Sequence, residues 1–237
     1  MKIEILEFIE GARQAGGLTV IIDVFRAFSL ECYLFAKGAG AIYPVGSIEL
    51  ALDLKKRHPE YLLIGERGGA KYPGCDYGNS PFQTKDVNVL GKTIIHTTSA
   101  GTQGIVNARH ADEILTGSLV NAKAVSHYIQ RRNPERVSLV CMGNGGKWRA
   151  NEDVLCARYI RSLLTGEEIN LKSEIENLKR AGGEHFFKED MQEIFPREDF
   201  AFCVDYDRFP FVIRVEEEAP GCFRSLVIGE DTWQSGE

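Results

Sequence analysis

The sequence predicts an α/β fold, a three-layer α/β/α arrangement around a mostly parallel, mixed sheet. Three observations predict it. Apolar runs such as Leu18 to Val24 and Val137 to Met142 are continuous and rich in β-branched residues, as in strands buried on both faces. Helical stretches with a one-sided apolar stripe alternate with these runs. The unusual residues fall where a run ends and a helix begins, which in open α/β sheets is the ligand edge.

In chain order, Met1 to Glu7 alternates and carries acids, so it reads as a first strand and not as a signal peptide. Leu18 to Val24 is the next strand, and Arg26 to Lys37 a helix stopped by Gly38 and Gly40. Ala41 to Val45 is a strand, Ser47 caps a helix through Arg57, and Tyr61 to Ile64 is a short buried strand. Gly65 to Pro81 is glycine-rich and without period, a long loop of the functional kind. Lys92 to Thr97 is a strand followed by a helix to about Arg109. Glu113 to Thr116 is a strand, and Ser118 caps a helix to Arg132 that Asn133-Pro134 closes. Val137 to Met142 leads through a glycine-rich turn into the helix Val154 to Leu164.

Lys172 to Arg180 reads as a peripheral helix and Glu189 to Tyr206 as helical pieces broken at Pro196. Phe211 to Val215 and Phe223 to Ile228 read as antiparallel, edge-like strands, with Glu216-Glu217-Glu218 as a solvated turn. No repeat or linker divides the chain, so residues 1–237 read as a single domain, with the region from about 166 to 237 peripheral.

A hydrophobic content of 43% and a charged content of 26% are ordinary for a globular protein. The net charge of −6 argues against a nucleic-acid or membrane surface, which would need clustered cations. No run is long enough to span a membrane. The six cysteines have no C-x-x-C or zinc spacing, which fits reduced thiols in a cytoplasmic protein. A small anionic ligand suits a local basic pocket, and a homodimer is compatible with the sequence.

Four strand-to-helix junctions carry the chemistry. Asp23 ends the second strand, with Arg26 after it; Glu66 and Arg67 follow the fourth. Thr97-Thr98-Ser99-Ala100-Gly101-Thr102 places hydroxyls and a glycine at a helix start, where free N–H groups favour an anion. Gly143 to Asp153 brings Lys147, Arg149, Glu152 and Asp153 to another. Each also has an ordinary reading as a cap or ion pair. One site built from Asp23, Glu66, Glu152 and Asp153, with Arg26, Arg67, Lys147 and Arg149 nearby, is the economical alternative. Hard oxygen ligands of this kind suit Mg²⁺, and the surplus cations suit a multiply charged anion. Metal-assisted phosphoryl chemistry follows, for a small anionic phosphomonoester.

Known phosphate motifs fail by spacing. A P-loop ending at Lys147 needs Gly at Cys141 and Ser or Thr at Trp148, and a Rossmann turn fails at Trp148. A D-x-D nucleophile motif fails at Phe25. A cysteine phosphatase loop from Cys141 meets Lys147 where arginine's planar fork is wanted.

Ile-Asp-Val-Phe-Arg-Ala at 22–27, Gly-Glu-Arg-Gly-Gly at 65–69, Gly-Asn-Ser-Pro at 78–81, Thr-Thr-Ser-Ala-Gly-Thr at 97–102 and the Cys-Met-Gly to Glu-Asp segment at 141–153 together resemble the 2-phosphosulfolactate phosphatase family. The resemblance covers roughly the first two thirds of the chain. It implies an α/β, Mg²⁺-dependent acid phosphatase that converts 2-phospho-3-sulfolactate to sulfolactate and phosphate, in some organisms for coenzyme M synthesis. It favours Asp23, Arg26, Glu66, Arg67, Asn79, Ser80, Thr98, Gly101, Glu152 and Asp153 as site residues, with Ser99 beside them. Phe25 and Ala100 depart from the family pattern, where Leu and Asn are common. The rival function is a non-catalytic binding module for a phosphorylated or sulfonated metabolite.

Overall fold

The computed structural model describes residues 1–229. Residues 230–237 of the region read as peripheral lie outside the described residues. The elements are β1 (Lys2–Glu7), α1 (Phe8–Gln14), β2 (Gly17–Ile22), α2 (Ala27–Ala36), β3 (Ala41–Pro44), α3 (Ile48–Arg57), β4 (Leu62–Arg67) and β5 (Ala70–Lys71). They continue with β6 (Thr93–Thr97), α4 (Gly101–Asn107), β7 (Ala111–Gly117), α5 (Ala122–Arg132), β8 (Arg136–Cys141), α6 (Asn151–Thr165), α7 (Leu171–Leu178), α8 (Arg197–Val204), β9 (Phe211–Ala219) and β10 (Cys222–Gly229).

The fold is α/β, with one mixed, mostly parallel sheet in the order β1-β8-β2-β7-β9-β10-β3-β6-β4-β5. Side chains alternate across it. Leu18, Val20 and Ile22 pack under α5 and α6, whereas Ile21 meets α1 and α4. In the other half, Ile64 and Ile94 join Leu30 and Leu34 of α2, while Leu63 and Ile95 join Ile48 and Ala51 of α3. Helices therefore cover both faces. Helix α2 is buried almost all round, so it carries no polar stripe. The Ser47 hydroxyl accepts the N–H of Leu50 at 3.2 Å and caps α3 as the sequence predicts.

The sheet departs from a simple doubly wound one. β1, β8, β2 and β7 form one parallel block, and β3, β6 and β4 form another. The β9–β10 hairpin joins them through antiparallel pairings on both sides. Across a flat sheet the two blocks would point in opposite directions. Five strand-to-strand steps from β2 to β6 accumulate a twist on the order of 100°, which turns their two carboxyl edges toward each other. The close approach of Gly101, at the start of α4, to the Asp23 carboxylate shows that convergence.

Four expectations are corrected. β9 and β10 are central rather than edge-like; they carry the pattern of ordinary half-buried strands, which is blind to neighbours. Glu216 to Glu218 belong to β9 and not to a turn, being solvated because the hairpin runs on past its neighbours; the turn is at Pro220 and Gly221. The Gly65 to Pro81 stretch begins as strand, since β4 runs through Arg67 and folds back on β5. The region after residue 166 is also less peripheral than its composition implied. Phe186, Phe200 and Cys203 are buried in the largest core cluster, and α7 anchors there through Leu171 and Leu178.

Candidate active site

Asp23 directly follows β2. Its N–H donates to Gly117 O at 3.2 Å, and its Oδ1 accepts the Ala27 N–H at 3.2 Å as α2 begins. Gly101 opens α4 against the same carboxylate: a Cβ there would lie 2.9 Å from Asp23 Oδ2 and 3.0 Å from the Phe28 ring. Only glycine allows this approach, which ties the β6 junction to the β2 junction.

Glu66 is held in place by the β6 turn and its own loop. Oε1 accepts the Ser99 N–H (2.6 Å), and Oε2 accepts the Gly69 N–H (2.7 Å) and the Ser99 hydroxyl (3.1 Å). Arg67 turns away, donating to Glu66 O (2.6 Å) and Thr97 Oγ1 (3.0 Å). Thr98 closes the turn with Thr102, whose N–H donates to Thr98 Oγ1 at 3.1 Å.

The two acids at the start of α6 differ. Asp153 Oδ1 accepts the Val24 N–H and Oδ2 the Gly143 N–H, both at 2.8 Å, so it staples the β2 and β8 turns together beneath the site. Glu152 lines the pocket, and its buried Oε2 has no hydrogen-bond partner among the described residues. Burial first, and then the negative charge of its neighbours, pushes the carboxyls of Asp23, Glu152 and Asp153 up. For Asp23 those neighbours are Asp153 and Glu66.

Asn79 and Ser80 follow the loop. Asn79 Oδ1 lies 3.0 Å from Nε2 of the fully buried His96, whose pKa burial lowers to about 4. Ser80 donates to Asp199 Oδ1 at 2.8 Å. Arg26 is clamped from three directions: Nη1 donates to Asp199 Oδ2 and to Ile194 O, both at 2.8 Å, and Nη2 to Gly69 O at 2.7 Å. The Phe195 ring covers it at 4.8 Å. Lys147 is exposed, and Arg149 pairs with Glu7 at 2.9 Å, so neither lines the pocket.

These elements enclose a cavity of about 490 Å³ lined by Asp23, Glu66, Ser99, Glu152, the Gly143–Gly145 turn and Arg26. Its far wall is Phe25, His185, Met191 and Phe195. Sequence reasoning missed His185, Met191 and Phe195 of that wall and Asp199 beneath it. The available signal was five phenylalanines between 186 and 202 in an otherwise polar stretch, a density that argues for core. Two larger grooves, about 800 and about 820 Å³, share Arg132 and Glu113 at the amino end of β7. That arginine is already neutralised by the glutamate at 3.4 Å, so size alone does not locate the site.

Among the described residues no three His, Cys, Asp or Glu side chains converge on one ion position. The four acids expected to share an ion are thus separated by role. Asp153 and Glu66 are engaged by backbone and hydroxyl donors, whereas Glu152 keeps an unpartnered oxygen. Mg²⁺ commonly takes one or two carboxylates and completes its octahedron with water and phosphate. Asp23 and Glu152 fit that requirement.

Cys141 is buried, and burial followed by the charge of Asp153 raises its thiol pKa. All six cysteines are free. Among the described residues no helix is long and apolar enough to cross a membrane.

The fold is α/β, and its pocket gathers acids, a glycine turn and Arg26 at the strand ends. The sequence model of the 2-phosphosulpholactate phosphatase family matches residues 4–218. The chain belongs to that family, and the class is phosphoric monoester hydrolase. Three similar proteins each bear the name probable 2-phosphosulfolactate phosphatase. That of Caldicellulosiruptor saccharolyticus is 40% identical over 61% of each chain. That of Carboxydothermus hydrogenoformans is 41% identical over 71% of this chain and 69% of its own. That of Caldanaerobacter subterraneus subsp. tengcongensis is 33% identical over 83% and 87%.

Proposed function

We propose that this protein hydrolyses 2-phospho-3-sulfolactate, or a closely related phosphorylated hydroxy acid, to the free hydroxy acid and inorganic phosphate, using Mg²⁺ in the cytoplasm. The observation that carries the reading is the Asp23–Glu152 pair. Two buried carboxyls raised by burial and by neighbouring charge, one with an orphaned oxygen, face a cavity rimmed by a glycine turn. Buried like charges are costly unless a cation compensates them.

When bound, Mg²⁺ supplies positive charge to the pocket and to the phosphoryl oxygens. The chain's own residues do the rest. Asp23 and Glu152 would hold the ion, and Asp153, beside Glu152 on α6, ties the helix start to the turns at Val24 and Gly143. Glu66 holds the Ser99 and Gly69 N–H groups and so shapes the wall beside the phosphoryl group. Arg26, neutralised by Asp199, holds the Gly69 carbonyl and so fixes the loop beside Glu66. In the reaction the bond between phosphorus and the C2 oxygen breaks, and water supplies hydroxide to phosphorus and a proton to the departing oxygen.

The test is phosphate release from 2-phospho-3-sulfolactate by the purified protein with Mg²⁺ and with chelator. Release that chelator abolishes and Mg²⁺ restores is the expected result. Tight binding of the ester without release would make the protein a binding module instead.

A further inference from the structure

The far wall of the pocket contains an imidazole set apart from the carboxylate cluster. His185 lies on a 3-10 turn, Glu184–Phe187, that follows Gly182-Gly183. Phe186, its neighbour, is fully buried and anchors the turn in the main core. The imidazole is packed among rings, with centroids 4.2 Å from Phe186, 4.5 Å from Phe195 and 6.5 Å from Phe25. Its orientation is therefore fixed by packing. Its face toward the cavity is not blocked, because His185 lines it. Among the described residues neither ring nitrogen has a hydrogen-bond or ion-pair partner, although the ring is only partly exposed.

A half-buried imidazole held by aromatic contacts, with both nitrogens unclaimed, is poised for a partner from outside the chain. Burial, and then the charge of Arg26, lowers its pKa to about 4, so at neutral pH it offers one N–H donor and one acceptor. The cavity also exceeds the needs of a phosphoryl group alone, being within the range that holds whole small ligands. A phosphoryl end at the carboxylates and glycine turn would leave the remainder of a three-carbon skeleton facing the wall that Phe25 and His185 form.

From this placement, and resting on the phosphatase reading above, we infer that His185 is a specificity-determining residue that donates a hydrogen bond to the substrate's second anionic group, its carboxylate or sulfonate. It discriminates phosphorylated acids from phosphomonoesters that lack such a group. A site that hydrogen-bonds a substrate oxygen rejects analogues lacking it, because its own polar group is left unpaired.

The experiment compares wild type, His185→Phe and His185→Asn on three esters: 2-phospho-3-sulfolactate, 2-phospholactate and glycerol 2-phosphate. His185→Phe keeps the aromatic packing and removes the donor. The expected result is a rise in KM of about ten-fold or more for phosphosulfolactate with little change in kcat, no change for glycerol 2-phosphate, and partial recovery in His185→Asn. Loss on phospholactate as well assigns the contact to the carboxylate; loss on phosphosulfolactate alone assigns it to the sulfonate. Equal losses on all three esters, or none, overturn the inference. A second arm does not depend on turnover: sulfolactate, which has no phosphoryl group, is titrated into wild type while the His185 imidazole ¹⁵N resonances are followed. They shift if the contact exists, and no shift overturns it even where phosphate release is normal. Absence of phosphate release by wild type, with the shift present, removes the phosphatase reading and leaves the contact standing.

Discussion

Arg26 and Asp199, 173 residues apart in sequence, form an ion pair of 2.8 Å in which the side chains are 3% and 0% exposed. The second oxygen of Asp199 accepts the Ser80 hydroxyl at 2.8 Å and the Phe82 N–H at 2.9 Å. One carboxylate on α8 thus joins the β2 junction to the loop after β5. It is the connection by which the late part of the chain fixes the pocket.

Asp199→Asn keeps an oxygen for Ser80 and Phe82 but leaves Arg26 buried without its counter-charge. Breaking a buried pair from one side costs roughly 3–5 kcal/mol. Chemical denaturation should show a fall of that order, with activity falling because the Gly69 contact of Arg26 loosens as well. A change below about 1 kcal/mol, the size of an ordinary hydrogen bond, would show that the pair does not hold the segment.

The strand-to-helix junctions were legible in the sequence, because β-branched runs ending at Asp23, Glu66 and Thr97 are local signals. The convergence of the junctions was reached for a different geometric reason. A single carboxyl edge was expected, whereas two edges are brought together by twist across the β9–β10 hairpin, which no local pattern records. Asp199 was illegible for a similar reason: an acid after Pro196 in a polar stretch reads as a first-turn helix residue. Only its long-range pairing distinguishes it. Among the acids, the spacing at Glu152 and Asp153 announced a shared helix start. Which one would face the cavity depends on the positions of Val24 and Gly143, and so on tertiary structure.

Glu31 provides a pH test well separated from the site. It is fully buried on α2, and burial raises its pKa from 4.5 to about 7, a rise moderated by the Ser225 and Thr116 hydroxyls. Neither hydroxyl reaches hydrogen-bond geometry with it. The folded state binds the proton more tightly than the unfolded state. The contribution to stability is therefore fully present below pH 4.5 and is lost as pH rises through about 7. The difference amounts to roughly 3 kcal/mol. Urea unfolding across this range should show Glu31→Gln gaining on wild type as pH rises, with most of the gain complete near pH 8. Parallel stability curves for the two proteins would contradict the assignment.

Cys141→Ser should retain most of the activity and stability within about 1 kcal/mol, since the thiol is buried and its pKa raised. Intact folding with lost turnover, or a phosphocysteine trapped by rapid quenching, would make Cys141 the nucleophile.

Asp153 and Glu152 are separable by their opposite expected profiles. Asp153→Asn places an amide N–H₂ against one of two backbone N–H donors, so melting should fall, by an amount on the order of 1–3 kcal/mol. Glu152→Gln replaces a buried carboxyl, raised by burial and without a protein partner at Oε2, by a neutral amide of the same shape, so the metal-free protein should melt at the same temperature or higher. Thermal melting of both variants in chelator checks this. Equal destabilisation would place both acids in the same structural role.

The most direct test of the site is the Mg²⁺ dependence of phosphate release from 2-phospho-3-sulfolactate, measured for wild type and Glu152→Gln at constant ionic strength. Wild type should saturate with Mg²⁺, and the variant should need at least about ten-fold more metal to reach half-maximal rate, as expected when one of two protein carboxylates at a hydrated ion is neutralised. Superimposable Mg²⁺ curves for the two proteins, or release that persists in chelator, would contradict the placement of the ion at Asp23 and Glu152.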